Sequence, residues 1–105
     1  MYHVVFLVQK RPDMSQEDFT RYWVEEHTSL TAAVPGVRAY RCYPATGAPE
    51  GEPAVAGVAI LSFDDKAAYR AAVAGPEFAA AIADGPNFQD TAATTALFAT
   101  EHVIV

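Results

Sequence analysis

The stretch from Phe19 to Val34 constrains the fold more than any other. Phe19, Trp23, His27, Leu30 and Val34 recur at i, i+4, i+8, i+11 and i+15, which is one stripe of an amphipathic helix with Tyr22 and Glu26 on its shoulder. The stripe is apolar except at His27. A histidine on a face that should bury must either find a hydrogen-bond partner or line a cavity. The helix start is well marked. Ser15 is an N-cap, Asp18 three residues on is placed to return the bond, and Met14 with Phe19 makes a hydrophobic staple. Glu17 and Arg21 form an acid-then-base pair on the outer face, and Val34-Pro35-Gly36 ends the helix.

On either side of this helix the period changes from 3.6 to 2. Tyr2 to Val8 is a β-branched and aromatic run that reads as a strand buried on both faces. Val37 to Tyr43 is a second strand, with Arg38, Tyr40 and Cys42 on one side and Val37, Ala39, Arg41 and Tyr43 on the other. Pro44 to Pro53 is a surface loop. Val55 to Phe63 is the third strand, where Gly57 marks a bulge or a close backbone approach. Asp64 or Asp65 caps a helix over Lys66 to Ala74. Gly75-Pro76 interrupts it before an alanine-rich segment, Glu77 to Ala83, anchored by Phe78 and Ile82. After the break at Gly85-Pro86-Asn87-Phe88, Thr94 to Val105 reads as the last strand, carrying Glu101 and His102.

The order strand, helix, strand, strand, helix, strand predicts an α+β, ferredoxin-like βαββαβ fold over residues 1–105 as a single domain: a four-stranded antiparallel sheet with its helices on one face. The strands are apolar on both sides, and 51% of residues are hydrophobic against 19% charged. The uncovered face therefore needs a cover, and a homodimer with sheet facing sheet supplies it most simply. Sheets meeting at an angle would enclose a space between the subunits. The net charge of -6 argues against nucleic acid or an anionic membrane as partner. Cys42 is the sole cysteine, so a disulfide framework and a cysteine-based zinc site are excluded. Met1 runs almost directly into a strand pattern without a basic region or a long apolar segment, and a cytoplasmic protein is expected. No phosphate-cradling glycine loop, nucleophile elbow or His-x-x-x-His spacing is present.

The spacing Phe19-x-x-Tyr22-Trp23-x-x-x-His27-x-x-Leu30, followed by Pro35-Gly36-Val37-Arg38-x-Tyr40, resembles the EthD family of the dimeric α+β barrel superfamily. The resemblance extends to the Asp64-Asp65 helix start, the interrupted helix and the final Thr100-Glu101-His102. It implies a small homodimer with an apolar cavity in each subunit, binding a hydrophobic or aromatic small molecule. It also implies His27 and Tyr40 as catalytic residues, by analogy with the histidine and tyrosine proposed to act in the family's methylmuconolactone methylisomerase. That enzyme's candidate cysteine has no counterpart here, where the third strand offers Ala59 and Ile60, so its activity does not transfer.

Imidazole moves protons readily near neutral pH, and a phenol can donate to a developing enolate or phenolate oxygen. The expected function is an enzyme with no metal or organic cofactor, acting on an apolar or aromatic carbonyl compound as an isomerase, cyclase, dehydratase or oxygenase. Trp23, Tyr22, Arg38, Cys42 and His102 complete the expected substrate site. Other readings stay open: His27 as a core histidine bonded to a backbone carbonyl, a non-catalytic binder of a hydrophobic metabolite, or a haem-handling barrel using His27 as axial ligand.

Overall fold

The computed structural model covers residues 1–105. Strand β1 spans Tyr2–Val8. Helix α1, Gln16–Tyr22, runs through a π turn at Trp23–His27 into α2, Thr28–Ala32. Strands β2, Ala39–Pro44, and β3, Gly57–Phe63, follow. Helices α3, Lys66–Val73, and α4, Pro76–Asp84, come next, then a single 3₁₀ turn at Gly85–Asn87 and strand β4, Thr95–Ala99. The sheet is antiparallel throughout in the order β2-β3-β1-β4, the arrangement expected of a ferredoxin-like sandwich. No helix is long and apolar enough to cross a membrane.

Helix starts follow the sequence closely. The Ser15 hydroxyl accepts from the Asp18 amide, and Met14 packs onto the same cluster as Phe19. The returning half of the capping box is absent, because the Asp18 carboxylate pairs with Arg21 one turn along its own helix. Arg21 is thereby taken from the expected Glu17. Asp65, not Asp64, caps α3 by accepting from the Ala68 amide, while Asp64 pairs with Arg38. Pro76 occupies the first turn of α4, where its missing amide hydrogen breaks no bond.

The π turn is the main departure from expectation. At its end the Thr28 amide reaches back five residues to the Trp23 carbonyl, one residue more than an α-helix allows. In a regular helix each step of four residues drifts about 40° round the axis. The wider turn cancels that drift, so Phe19, Trp23, His27 and Thr31 stay on one buried face. Thr31 thereby takes the place expected of Leu30, which is only half-buried.

Two clusters fill the space between sheet and helices. One joins Val8, Phe19, Trp23, Ala59 and Phe88, and the other joins Val4, Val34, Leu61, Phe63 and Ala72. Burying each of the four large aromatic side chains Trp23, Phe19, Phe63 and Phe88 contributes roughly 1.5–3 kcal/mol. On the other face of the sheet a cross-strand row runs Leu97–Val5–Ile60 beside a second, Leu7–Val58–Tyr43. No helix of the same chain covers it. β1 is fully buried only at Val4 and Val8, on the helix side, and not on both faces as its composition suggests.

The last strand is shorter than its pattern. It ends at Ala99, and Val103, Ile104 and Val105 stand exposed beyond it. β-branched composition favours an extended chain, but β1 offers partners only as far as His3, which lies opposite Ala99. Glu101 and His102 are therefore outside the sheet.

Candidate functional site

The π turn and the C-terminus of α4 meet at one carboxylate. Asp84 is the last residue of α4, and its Oδ2 accepts from His27 Nδ1 at 2.8 Å. Its Oδ1 accepts from the Tyr22 hydroxyl at 2.7 Å and from Asn87 Nδ2 at 2.9 Å. Burial works to raise the Asp84 pKa, but the hydrogen bonds from Tyr22, Asn87 and His27 outweigh it and hold the carboxyl below its ordinary value. An ionised carboxylate only accepts, so Nδ1 of His27 carries the hydrogen and donates it. Nε2 is left as the free nitrogen, with the Thr31 hydroxyl 3.4 Å away. The Phe88 ring, fully buried, packs on the imidazole with centroids 4.6 Å apart and fixes its plane.

His27 opens on a cavity of about 290 Å³ between the sheet and the helices. Trp23 and Tyr40 line it together with Thr31, Phe6 and Phe78. All four strands contribute, from Tyr40 on β2 to Ala96 on β4. The cavity therefore lies within one subunit and not between the sheets of two, because the helices stand off the sheet over its central strands. Burial pushes the Tyr40 phenol well above its ordinary range, with Cys42 beside it adding to the rise. Tyr40 is therefore a neutral hydrogen-bond donor and not a base.

The sequence-predicted residues divide accordingly. Trp23, His27 and Tyr40 converge on the cavity. Tyr22 does not line it; its hydroxyl supports Asp84 from behind. Cys42 is half-buried against the core next to Tyr40, and burial raises its thiol pKa, so it is a packed side chain and not a nucleophile. Arg38 points to the surface and holds Asp64 through two hydrogen bonds of 3.1 and 2.9 Å. His102 is exposed, with only the Thr100 hydroxyl near it at 3.2 Å. No three His, Cys, Asp or Glu side chains converge in a metal-holding cluster.

Sequence reasoning missed Asp84, Phe88 and Thr31. Asp84 carried a signal all the same. A carboxylate in the last turn of a helix sits at the negative end of the dipole, so it needs donors to justify the position. Gly57 also gains its reason here. A Cβ at that position would lie 2.4 Å from the Trp23 ring, so the glycine is where the indole meets the backbone of β3.

The chain is similar to solved structures along nearly its whole length. An ethyl tert-butyl ether D (EthD) family protein from Bacillus halodurans superposes with a TM-score of 0.81 at 22% identity, covering 97% of this chain and 100% of that one. A dimeric ferredoxin-like protein of unknown function from Thermobifida fusca gives 0.74 at 17% identity, over 95% and 90%. A DABB family protein with a ferredoxin-like fold from Mesorhizobium loti gives 0.68 at 15% identity, over 97% of each. At these identities the likeness establishes the fold. No curated protein matches the sequence. The EthD domain family model matches residues 11–92, from the turn before α1 to the segment after Phe88. The chain belongs to the EthD family.

Proposed function

We propose that the protein is an enzyme of general acid/base chemistry, abstracting a proton beside the carbonyl of an apolar or aromatic compound. The observation that carries this reading is the His27–Asp84 pair opening on an apolar cavity that also holds the Tyr40 hydroxyl. Nε2 of His27 takes the proton. Asp84 fixes the ring and stabilises the imidazolium that forms. Tyr40 donates to the oxygen on which charge develops, and does so in a site poor in water, where such a bond is stronger than in bulk. Isomerisation, cyclisation, dehydration and cofactor-free oxygenation of an electron-rich ring all share this step.

Hydrogen–deuterium exchange at the α carbons of 2-tetralone, followed by NMR in heavy water, tests the reading directly. The protein should accelerate exchange over buffer, and His27→Ala should remove the acceleration. Saturating binding with exchange no faster than buffer would leave a binder of hydrophobic metabolites in place of an enzyme.

The same reading makes the protein a homodimer, joined through the open sheet face, in keeping with dimeric ferredoxin-like neighbours of the same fold. Val5 lies at the middle of the apolar row on that face, between Leu97 and Ile60. Val5→Glu should therefore convert the dimer to a monomer in sedimentation velocity, since an unpaired charge buried between the sheets costs several kcal/mol. An unchanged sedimentation coefficient would move the interface elsewhere.

A further inference from the structure

Charge is distributed unevenly around the cavity. Its lining contains no lysine or arginine. Arg11, Arg21 and Arg38 are each tied to an aspartate at the surface. The charged group behind the imidazole is negative. Asp84 lies directly behind His27, with its carboxyl held below the ordinary range by Tyr22, Asn87 and His27 against the opposing effect of burial. The carbonyl end of α4 arrives at the same place, and Gly85, its C-cap, forms part of the wall. A ligand carboxylate would shed its water and meet no cation in return, only a second carboxylate and a helix C-terminus.

The polar groups that do face the cavity are neutral and stand at opposite edges of the sheet. Tyr40, on edge strand β2, and Thr31 are at one side. Gln89 and Thr91 are at the β4 side. Between them the wall is aromatic and aliphatic. Size sets a further limit, since a dry apolar cavity of roughly 150 Å³ holds one benzene ring. The 290 Å³ found here is about double that.

We propose that the cavity takes an uncharged compound of two fused rings bearing a hydroxyl or carbonyl oxygen, and rejects carboxylated molecules of the same shape. The proposal rests on the reading of this cavity as the substrate site, and narrows it to a ligand class. The aromatic wall takes the ring faces, the neutral edge groups take the oxygen, and the negative side behind His27 excludes anions.

Isothermal titration calorimetry at neutral pH with 2-naphthol, 2-naphthamide and 2-naphthoate tests it, because the three share a skeleton and only the last is charged. The two neutral probes should bind with similar affinity and the naphthoate at least about tenfold more weakly. Ala96→Lys places a cation in the wall from an exposed strand position, and should bring the naphthoate level with the naphthol or ahead of it. Naphthoate binding to the wild type as tightly as naphthol overturns the proposal. So does failure of both neutral probes to bind at millimolar concentration. His27→Ala removes the base and should preserve the order of affinities. An inert base and a wrong ligand class therefore show up in separate measurements, exchange for the first and calorimetry for the second.

Discussion

Asp84→Asn should slow α-carbon exchange by about 10²- to 10⁴-fold, nearly as much as loss of the histidine, while the protein stays folded. The Asp84 oxygens receive three hydrogens, two on Oδ1 from Tyr22 and Asn87 and one on Oδ2 from His27. An asparagine has one acceptor oxygen and one donor nitrogen. Turning the oxygen toward Tyr22 and Asn87 keeps two bonds and aims the amide hydrogens at His27 Nδ1. The imidazole then carries its hydrogen on Nε2, the nitrogen that should accept the substrate's proton. The base is present and in the wrong tautomer. Exchange rates with 2-tetralone, compared among wild type, Asp84→Asn and His27→Ala, measure this, and wild-type rates in Asp84→Asn would reduce the carboxylate to packing.

The same variant has a signature in acid. The Asp84 carboxyl titrates in the folded chain below its ordinary value of 3.8. The ionised form therefore contributes stability at every pH above that ordinary value, and the contribution disappears as the pH falls through the folded-state value. The part of the stability difference between wild type and Asp84→Asn that comes from this carboxyl should narrow below about pH 4 in urea titrations.

Gly57→Ala should lower stability by about 3 kcal/mol or more, at the upper end of what overpacking costs. The added methyl carbon would sit 2.4 Å from one Trp23 ring carbon, 3.0 Å from another and 3.0 Å from the Tyr43 carbonyl oxygen. None of these can yield easily. The indole is wedged among Phe19, Phe88 and the sheet with 1% of its surface exposed, and the carbonyl belongs to the paired strand β2. A domain of this size loses roughly 4–8 °C of Tm per kcal/mol, so melting by circular dichroism should fall by more than about 10 °C. Trp23→Phe in the same chain makes room and should recover part of that loss, a coupling that separates this clash from generic strand damage. A Tm within about 2 °C of wild type would mean that the ring is free to move.

The fold was largely legible because it follows from periodicity and caps. Tyr2 to Val8 is bounded by turn residues, Ser15 and the pair Asp64-Asp65 each mark a helix start, and Gly75-Pro76 marks the break between the last two helices. The site was half legible. His27 stood out as the polar residue on an apolar stripe, yet its partner lies 57 positions away and no local pattern ties them. Leu30 and the C-terminal segment were misjudged for a common reason. Periodicity assumes a regular element, and neither a five-residue turn nor the reach of a neighbouring strand is encoded in the residues that depend on it.

The widened turn at Trp23–His27 also makes the chemistry separable from the scaffold. A relative with one residue fewer there could close an ordinary helix, keep the aromatic wedge above the sheet and swing its imidazole out of reach of the acid on the neighbouring helix. Loss of the π turn would thus leave the fold in place and remove the His27–Asp84 contact on which the proposed chemistry rests.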